Sequence, residues 1–273
     1  MKKNCLVIGA KGMLGQAVVK YWKKQGWQVV FLERKDFDIV KDEIKVLEKY
    51  VRKVDVIVNC AGMIKPRIDK ASIEEVLQVN AIFPKNLAKL AKKHNKMCFH
   101  IATDCVFSGK KGNYSEVDYC DAEDVYGLSK AAGDTKECMC LRTSIIGEEV
   151  RNKYSLLEWV KSQKGKTING FTNHYWNGVT TVYLAEIIEK IVTKRLYKKG
   201  IFHIFSPRAV TKYRLVQMIN KVYDLDIKVQ EVKAVVFCDR RLVTIYSLAR
   251  KIVNKSLKQQ IKEMKDFFKH ETT

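Results

Sequence analysis

Short apolar runs alternate with amphipathic stretches along the first half of the chain. The apolar runs are rich in β-branched residues and lie at Cys5–Gly9, Gln28–Leu32, Val54–Asn59, Met97–Ala102 and Met139–Arg142. The segments between them, 13–25, 41–52, 72–94 and 122–137, carry apolar residues at helical spacing and are long enough to be crossover helices. Continuous apolar strands joined by helices indicate a parallel sheet covered on both faces. The pattern predicts a Rossmann-like, doubly wound α/β domain over residues 1–150.

The rhythm changes after residue 150. Helical patterns are predicted over 155–162 and 181–194, from Thr211 and from Ser256, with a short strand in GIFHIF, and the polar aromatic segment 169–178 is interpreted as a loop. We expect residues 151–273 to form a small C-terminal substrate-binding lobe, from which some segments return to the first domain.

Composition narrows the class of protein. The 273 residues are 47% hydrophobic and 30% charged, as in a folded globular protein. No run reaches the ~18 apolar residues of a membrane-spanning helix, and the run after Lys3 is shorter than the ~7–15 residues of a signal sequence. The eight cysteines are scattered without C-x-x-C spacing. We therefore expect a cytoplasmic protein with reduced thiols, no metal site and no membrane partner.

The formal charge of +21 is concentrated after residue 150, where 25 basic residues face 10 acidic ones. The lysines stand singly or in pairs between apolar residues, which is typical of solvated helix faces, and no nucleic-acid-binding motif accompanies them. We expect no nucleic-acid partner, and the charge is interpreted at most as attraction for nucleotide ligands.

A glycine loop connects the first predicted strand to the first helix. Gly9, Gly12 and Gly15 have the spacing G-x-x-G-x-x-G, and Met13 and Leu14 open the helix. Glycines allow the backbone to approach a pyrophosphate, and the helix offers free N–H groups and the positive end of its dipole. These five residues are predicted to bind the pyrophosphate of a dinucleotide.

The end of the second strand gives two opposing signals about the cofactor. Glu33 could accept hydrogen bonds from the 2′-hydroxyl of NAD, whereas Arg34 and Lys35 could pair with the 2′-phosphate of NADP. The adjacent cations favour NADPH, and NADH stays open. The remaining predicted cofactor contacts flank the ends of the second and third strands: Asp38, Ile39, Cys60, Ala61 and Gly62.

Tyr126 and Lys130 are four residues apart, so on a helix both project from one face. An ammonium near a phenol lowers the phenol pKa, and Tyr126 would then serve as a general acid. Thr103 ends the fourth predicted strand, at the edge where doubly wound folds bind ligands. The three residues predict one catalytic constellation.

Together these motifs resemble an extended short-chain dehydrogenase/reductase, and more narrowly the dTDP-4-dehydrorhamnose reductase family. The residues that carry the resemblance are GAKGMLGQ (9–16), IDKA (68–71), VNA (79–81), ATDCVFSGKKGNYSEVD (102–118), DVYGLSKAAGD (124–134) and LRTSIIG (141–147). The resemblance implies that hydride passes from a nicotinamide to a 4-keto carbon, while Tyr126 protonates the oxygen, Thr103 orients the carbonyl and Lys130 holds the nicotinamide ribose. The resemblance also implies that Asn80 holds a water molecule behind Lys130. The alternative is that Asn80 is simply a polar residue of the helix.

On the substrate side, one position departs from the family. Cys105 stands where a tyrosine is common in the family. In enzymes similar to GDP-fucose synthase, a cysteine at this position acts as an acid/base in epimerisation, and here His174 or a lysine could be its partner. The favoured interpretation is instead that Cys105 is a small buried thiol. The predicted substrate contacts are Asp104, Cys105, Asn173, His174, Tyr175, Trp176 and Arg240.

Three functions follow from this resemblance. The first is NAD(P)H-dependent reduction of a nucleotide-linked 4-keto-6-deoxy sugar. The second is a bifunctional 3,5-epimerase/4-reductase, and the third is a non-catalytic dinucleotide-binding regulatory subunit, similar to the methionine adenosyltransferase beta subunit. The nucleotide (dTDP, UDP or GDP), the sugar and the oligomeric state, with a homodimer among the options, stay open.

Overall fold

The structure of the protein is a computed structural model, and it describes residues 3–149 and 153–269. Six strands form a sheet in which every pair is parallel. In spatial order they are β2 (Gln28–Leu32), β1 (Asn4–Ile8), β3 (Val56–Asn59), β4 (Met97–Thr103), β5 (Met139–Thr143) and β10 (Gly200–His203). The predicted parallel, doubly wound sheet is confirmed.

The strand order places the ligand edge. β2 pairs with one side of β1 and β3 with the other, so the direction in which strands are added reverses at β1. In such sheets ligands bind outside the carboxyl ends of the strands at this reversal. The glycine loop follows β1 directly, so it lies at this point.

Helices connect and cover the strands of the sheet. They are α1 (Met13–Lys24), α2 (Glu48–Val51), α3 (Lys65–Ile68), α4 (Ile73–Leu77), α5 (Phe83–Lys93) and α6 (Val125–Gly133). The prediction of one helix over 41–52 was wrong, because a 3-10 turn at Ile44–Leu47 precedes the single turn of α2. The predicted helix over 72–94 is divided by a π-type turn at Gln78–Ile82, from which the Asn80 side chain reaches the backbone of Met63.

The later elements contribute both to the sheet and to a lobe. They are β6 (Ile145–Ile146), α7 (Leu156–Ser162), β7 (Thr167–Phe171), β8 (His174–Trp176), β9 (Val179–Thr180), α8 (Thr181–Thr193), β11 (Val210–Thr211), α9 (Lys212–Tyr223), β12 (Lys228–Val232), β13 (Cys238–Asp239), α10 (Leu248–Ile252) and α11 (Leu257–Lys269). The α8 helix packs on α1, where Trp22 donates a hydrogen bond to the Ala185 carbonyl at 3.0 Å. The lobe has its own core, which includes Leu157, Ile219 and Ile261.

The interpretation of 169–178 as a loop was wrong. The segment contributes to two strands: β7 pairs with β12, and β8 pairs with both β11 and β13. These partner strands lie more than 30 residues away along the chain. The strand character therefore comes from non-local pairing that a local pattern of Asn, Gly and aromatic residues does not reveal. Among the described residues, no helix has the length and apolar character needed to cross a bilayer.

Candidate active site

A cleft of about 900 Å³ runs along the carboxyl edge of the main sheet. This volume is typical of a small-molecule site. The predicted residues that line it are Gly9, Gly12, Met13, Leu14, Glu33, Arg34, Asp38, Ile39, Cys60, Ala61, Gly62, Thr103, Asp104, Cys105, Tyr126 and Lys130. The structure therefore brings the glycine loop and the predicted catalytic residues into one cleft.

The glycine loop has the close approaches that a missing Cβ allows. Gly9 has a φ of +78°, and a Cβ there would lie 2.6 Å from the Ala61 amide nitrogen. A Cβ on Gly15 would lie 2.1 Å from the carbonyl oxygen of Gly9, so Gly15 does not line the cleft but lets α1 pack against the loop. The α1 helix has neither a side-chain cap nor an acidic residue in its first turn. Its first N–H groups therefore suit an anion, as the prediction of a pyrophosphate site requires.

Glu33 and Arg34, the two residues that gave opposing indications about the cofactor, both line the cleft. The carboxylate of Glu33 lies 2.7 Å from Lys11 Nζ, and the hydrogen bond from Lys11 lowers the Glu33 pKa. Arg34 Nε lies 3.3 Å from Asp38 Oδ2, and the Arg34 side chain is 78% exposed. Both Glu33 and Arg34 therefore have a partner of opposite charge, and the Arg34 side chain is the more exposed of the two.

The α6 helix positions Tyr126 and Lys130. It begins after Asp124, whose side chain accepts a hydrogen bond from the Gly127 N–H at 2.7 Å and also binds Lys65 at 2.7 Å. The Thr103 side chain lies near the Tyr126 hydroxyl and acts to lower the Tyr126 pKa, against the larger effect of burial. The predicted catalytic hydroxyls therefore lie near each other in the cleft.

The expectation that Lys130 lowers the pKa of Tyr126 was wrong. Burial raises the pKa of Tyr126, and Cys105 adds to that effect. Lys130, 4% exposed, donates its hydrogen bond to the Ile101 carbonyl at 3.0 Å, and burial lowers the Lys130 pKa. Tyr126 therefore keeps its proton at neutral pH, which is the state that a general acid needs.

Thr103 ends β4 and organises the next two residues. Its Oγ1 accepts a hydrogen bond from the Cys105 N–H at 3.1 Å and donates towards Asp104 Oδ1 at 3.3 Å. Burial raises the pKa of Asp104, opposed by Arg240 and Lys212, and burial raises the pKa of Cys105 to about 12. A thiol with this pKa is protonated at neutral pH, so the environment does not favour a Cys105 thiolate.

Asn80 is buried behind the cleft and does not line it. Its side-chain nitrogen donates to the Met63 carbonyl at 3.0 Å and to Ser129 Oγ at 3.1 Å, and its oxygen accepts from the Met63 N–H at 2.8 Å. Both amide protons are used in holding the segment after β3 against α6. That Asn80 holds a water molecule stays a prediction. The water would have to donate to the second lone pair of the Asn80 side-chain oxygen.

The aromatic segment that was predicted to contact substrate is largely occupied with the lobe itself. The Asn173 side chain bonds both backbone groups of Ala234, and the His174 ring bonds the Val236 carbonyl at 2.8 Å. Tyr175 packs between Phe237 and Arg241. His174, one of the partners suggested for Cys105, therefore already forms a hydrogen bond within the lobe.

Trp176 is only 4% exposed, and this burial does not fit the expectation that it stacks on a base. Arg240 approaches the cleft, with Nη1 4.0 Å from Cys105 Sγ. Lys212, which belongs to a weaker part of the family resemblance and was given no site role from the sequence, interacts electrostatically with Asp104 and Cys105. Its one local signal is a cation at the first position of a helix, where the helix dipole is unfavourable.

Comparison with known proteins identifies the family. The RmlD substrate binding domain family matches residues 2–261. The dTDP-4-dehydrorhamnose reductase of Aggregatibacter actinomycetemcomitans is 30% identical over 224 residues, which cover 76% of this chain and 75% of that protein. The methionine adenosyltransferase 2 subunit beta of Xenopus tropicalis is 23% identical over 248 residues, which cover 82% and 73%.

Solved structures share the fold. A dTDP-4-dehydrorhamnose reductase from Clostridium acetobutylicum superimposes with a TM-score of 0.79 at 21% identity, over 97% of this chain and 99% of that one. The Bacillus anthracis reductase in complex with NADP also gives a TM-score of 0.79, at 19% identity over 97% and 98%. The predicted resemblance is confirmed, and the chain belongs to the RmlD substrate-binding-domain family.

Proposed function

We propose that the protein is an NADPH-dependent reductase of the 4-keto group of a nucleotide-linked 4-keto-6-deoxy sugar. One observation carries the proposal: Thr103, Tyr126 and Lys130 line the same cleft as the glycine loop. A regulatory scaffold has no chemical reason to keep a phenol, a hydroxyl and a buried ammonium together. The relationship to a dTDP-4-dehydrorhamnose reductase supports the choice of substrate class.

The glycine loop and the uncapped N-terminus of α1 fit the pyrophosphate of a dinucleotide. The tight conformation of the loop depends on glycine, because a side chain at Gly9 or Gly15 would collide with the backbone. NADPH, when bound, supplies the hydride that reduces the keto carbon. Tyr126 donates the proton to the carbonyl oxygen, and Thr103, which lines the cleft near Tyr126, orients that oxygen. Lys130 lies next to Gly62, where a Cβ would be 3.7 Å from its Nζ, and it binds the ribose on that side.

The choice of NADPH over NADH rests on Arg34. Its guanidinium lines the cleft and is mostly exposed even though Nε lies 3.3 Å from Asp38, whereas Glu33 is less exposed and is paired with Lys11 at 2.7 Å. A 2′-phosphate is recognised by charge-assisted hydrogen bonds of the kind that a guanidinium donates. Arg34 is therefore the proposed 2′-phosphate contact.

The test follows NADPH and NADH oxidation with a panel of dTDP-, UDP- and GDP-linked 4-keto-6-deoxy sugars. Wild type is expected to reduce at least one, and Tyr126→Phe is expected to lose about 10²–10⁴-fold in rate, the range of general acid catalysis. NADPH binding by Tyr126→Phe, measured by fluorescence titration, controls for folding. Wild type that binds NADPH and reduces none of the panel would overturn the proposal.

The second candidate is a regulatory subunit, favoured by the likeness to methionine adenosyltransferase 2 subunit beta over most of the chain. It predicts dinucleotide binding without turnover, together with a stable complex with a methionine adenosyltransferase catalytic subunit. Size-exclusion chromatography of the mixture separates the two candidates, because the reductase proposal expects two separate peaks.

The bifunctional epimerase requires an acid/base at Cys105. A Cys105→Ser variant, incubated with substrate in deuterated water, tests it by the exchange of the C3 and C5 protons. Since burial raises the pKa of Cys105 to about 12, we expect reduction to continue in this variant and exchange at C3 and C5 to be absent from wild type. Exchange that disappears only in the variant would restore the epimerase role.

Cytoplasmic localisation and a homodimer belong to the proposal as well. All eight cysteines are free thiols, which supports a reducing compartment. Light scattering of the purified protein tests the dimer, and a mass near 31.6 kDa would exclude it.

A further inference from the structure

His100 is a buried histidine that the proposed mechanism does not use. It lies in the middle of β4 and is 0% exposed. The parallel pairing of the strands places it between Asn59 of β3 and Cys140 of β5. Ala102, two residues further along β4 and therefore on the same face of the sheet, lines the cleft. The imidazole ring thus lies just below the floor of the candidate active site.

The hydrogen bonds of Asn59 determine which ring nitrogen of His100 carries the proton. The Asn59 side-chain oxygen accepts a hydrogen bond from the Ala61 N–H at 3.1 Å, so the amide nitrogen is the atom that faces the ring. Asn59 Nδ2 lies 3.2 Å from His100 Nδ1, and an amide nitrogen donates and does not accept. The proton of the neutral ring is therefore on Nε2. Burial, with the charge of Lys130, lowers the pKa of His100, so the ring is neutral at pH 7.

The Nε2–H group of His100 has no hydrogen-bond partner among the described residues. A buried N–H without an acceptor is unfavourable, and ordered water satisfies many such groups in proteins. The ammonium of Lys130 is near enough to act on the ring electrostatically. In the part of the chain that the structure describes, only one of its three N–H groups has an acceptor, the carbonyl of Ile101, which is the residue next to His100. Two buried donors therefore lie near each other without an acceptor between them.

The other ionisable groups around this pair have partners of their own. Cys140 and Asp134 both act on the charge of Lys130. The Cys140 thiol lies 3.4 Å from Asp134 Oδ1, and Asp134 Oδ2 accepts from the Arg142 guanidinium at 2.7 Å. The carboxylate of Asp134 is thus turned towards Cys140 and Arg142, and it does not supply the acceptor that His100 needs.

We propose that His100 is a positioning residue for Lys130, and that one water molecule accepts hydrogen bonds from both the His100 Nε2–H and the Lys130 ammonium. A water oxygen has two lone pairs, so it can accept from both donors at once. The ammonium is then held by the Ile101 carbonyl and by this water, and its third N–H group is left for the nicotinamide ribose. The inference rests on the proposed function, in which Lys130 binds that ribose. The water is held from β4 by His100, whereas the water that the family resemblance implies is held by Asn80.

The state of the ring is tested by NMR of protein labelled with ¹⁵N in its five histidines. The His100 signals are assigned by their loss from a His100→Gln variant. We expect the wild-type ring to be in the neutral Nε2–H form between about pH 6 and 8, with a slowly exchanging Hε2 signal that shows a cross-peak to water. A ring in the Nδ1–H form, or one that titrates near the ordinary pKa of 6.5, would overturn the inference.

The effect on Lys130 is tested by NADPH dissociation constants, measured by fluorescence titration. His100→Phe fills the space without a donor, and the amide of His100→Gln can donate from a position near that of Nε2. The matched control is His203→Phe. His203 is 1% exposed, its Nε2 also has no partner among the described residues, and it lies on β10 with Nδ1 2.8 Å from the Val243 carbonyl. The thermal unfolding midpoint of each variant verifies folding, and the wild-type ring signals test the inference even where a variant does not fold.

His100→Phe is expected to bind NADPH about 10-fold more weakly than wild type, because the ammonium loses one charge-assisted hydrogen bond that holds it in place. His100→Gln should stay within about 3-fold of wild type and His203→Phe within about 2-fold. A folded His100→Phe with the wild-type affinity, or equal losses in His100→Phe and His100→Gln, would overturn the inference.

The same measurements separate the inference from the proposed function. If the variants follow the expected order of NADPH affinity but wild type reduces no nucleotide sugar, the proposed function fails and the inference about His100 and Lys130 stands. Wild type that binds no NADPH would overturn both.

Discussion

Lys130 Nζ donates a hydrogen bond to the carbonyl oxygen of Ile101 at 3.0 Å. Ile101 is two residues before Thr103 on β4, and Lys130 is one helical turn after Tyr126 on α6. This bond therefore joins the helix that carries Tyr126 to the strand that ends in Thr103. The bond thus helps to hold the Tyr126 helix beside the end of β4, where both Tyr126 and Thr103 line the cleft.

Replacing Lys130 by Met should separate activity from stability. We expect the reductase rate to fall by at least about 10²-fold, because the contact with the nicotinamide ribose is lost. The free energy of unfolding at pH 7 should not fall, because burying the Lys130 ammonium has a desolvation cost that a Met side chain avoids. Urea unfolding and NADPH oxidation measure the two quantities. The exposed Lys85→Met, as control, should change neither, and a strongly destabilised Lys130→Met would contradict the argument.

The same residue predicts a pH dependence. Burial lowers the Lys130 pKa below its ordinary 10.5, so between the two values the unfolded chain binds the proton that the folded chain has released. The contribution of Lys130 to the free energy of unfolding therefore rises as the pH approaches 10.5. Subtracting the Lys130→Met profile from that of wild type isolates this rise, and a difference that falls with pH would refute it.

Arg34→Ala should change the cofactor preference. We expect the KM for NADPH to rise by about 10-fold, because one charge-assisted contact to the 2′-phosphate is lost. The KM for NADH should stay within about 2-fold of the wild-type value. Arg208→Ala, at an exposed position in the part of the chain after residue 150, serves as the control. Equal changes for both cofactors would exclude Arg34 as the 2′-phosphate contact.

Gly15→Ala should damage the loop without touching the ligand. The added methyl group would overlap the Gly9 carbonyl oxygen, so α1 must shift, at a cost of about 1–3 kcal/mol in the free energy of unfolding. NADPH affinity should fall with it. The matched variant is Gly26→Ala, where φ is +77° but a Cβ meets nothing within 4 Å. It should lose stability through backbone strain and keep its NADPH affinity, so equal binding losses would point to a general loss of stability.

Acid stability should depend on Glu48. Hydrogen bonds from Lys93, His94 and Arg52 lower the pKa of Glu48 from 4.5 to about 2. Because the folded pKa is depressed, the stabilisation is complete above pH 4.5 and disappears as the pH falls towards 2. Glu48→Gln should lower the unfolding midpoint at pH 6 and approach wild type near pH 2.5. The nearby exposed Glu43→Gln is the control, and parallel pH profiles for Glu48→Gln and wild type would contradict the assignment.

The order of strands and helices around the glycine loop could be predicted because it depends on local pattern. Strands buried on both faces are continuous apolar runs, and β5, which is buried along its whole length at Met139–Thr143, begins at the predicted Met139. Helix interruptions could not be predicted, since the π-type turn at Gln78–Ile82 accompanies the contact of Asn80 with Met63, 17 residues away along the chain. Periodicity alone reports nothing about such a contact.

By itself, the sequence determined the doubly wound sheet, the glycine loop and the trio Thr103, Tyr126 and Lys130, because spacing along one strand or one helix places these groups. Only the tertiary structure decided the direction of the Tyr126 pKa, the burial of Trp176 and the meeting of Lys212 with Arg240 beside Asp104. Burial and electrostatic interaction depend on which distant segments pack together. The pairing of β8 with β11 and β13, which no local stretch of residues encodes, brings together the segments that carry Trp176, Lys212 and Arg240.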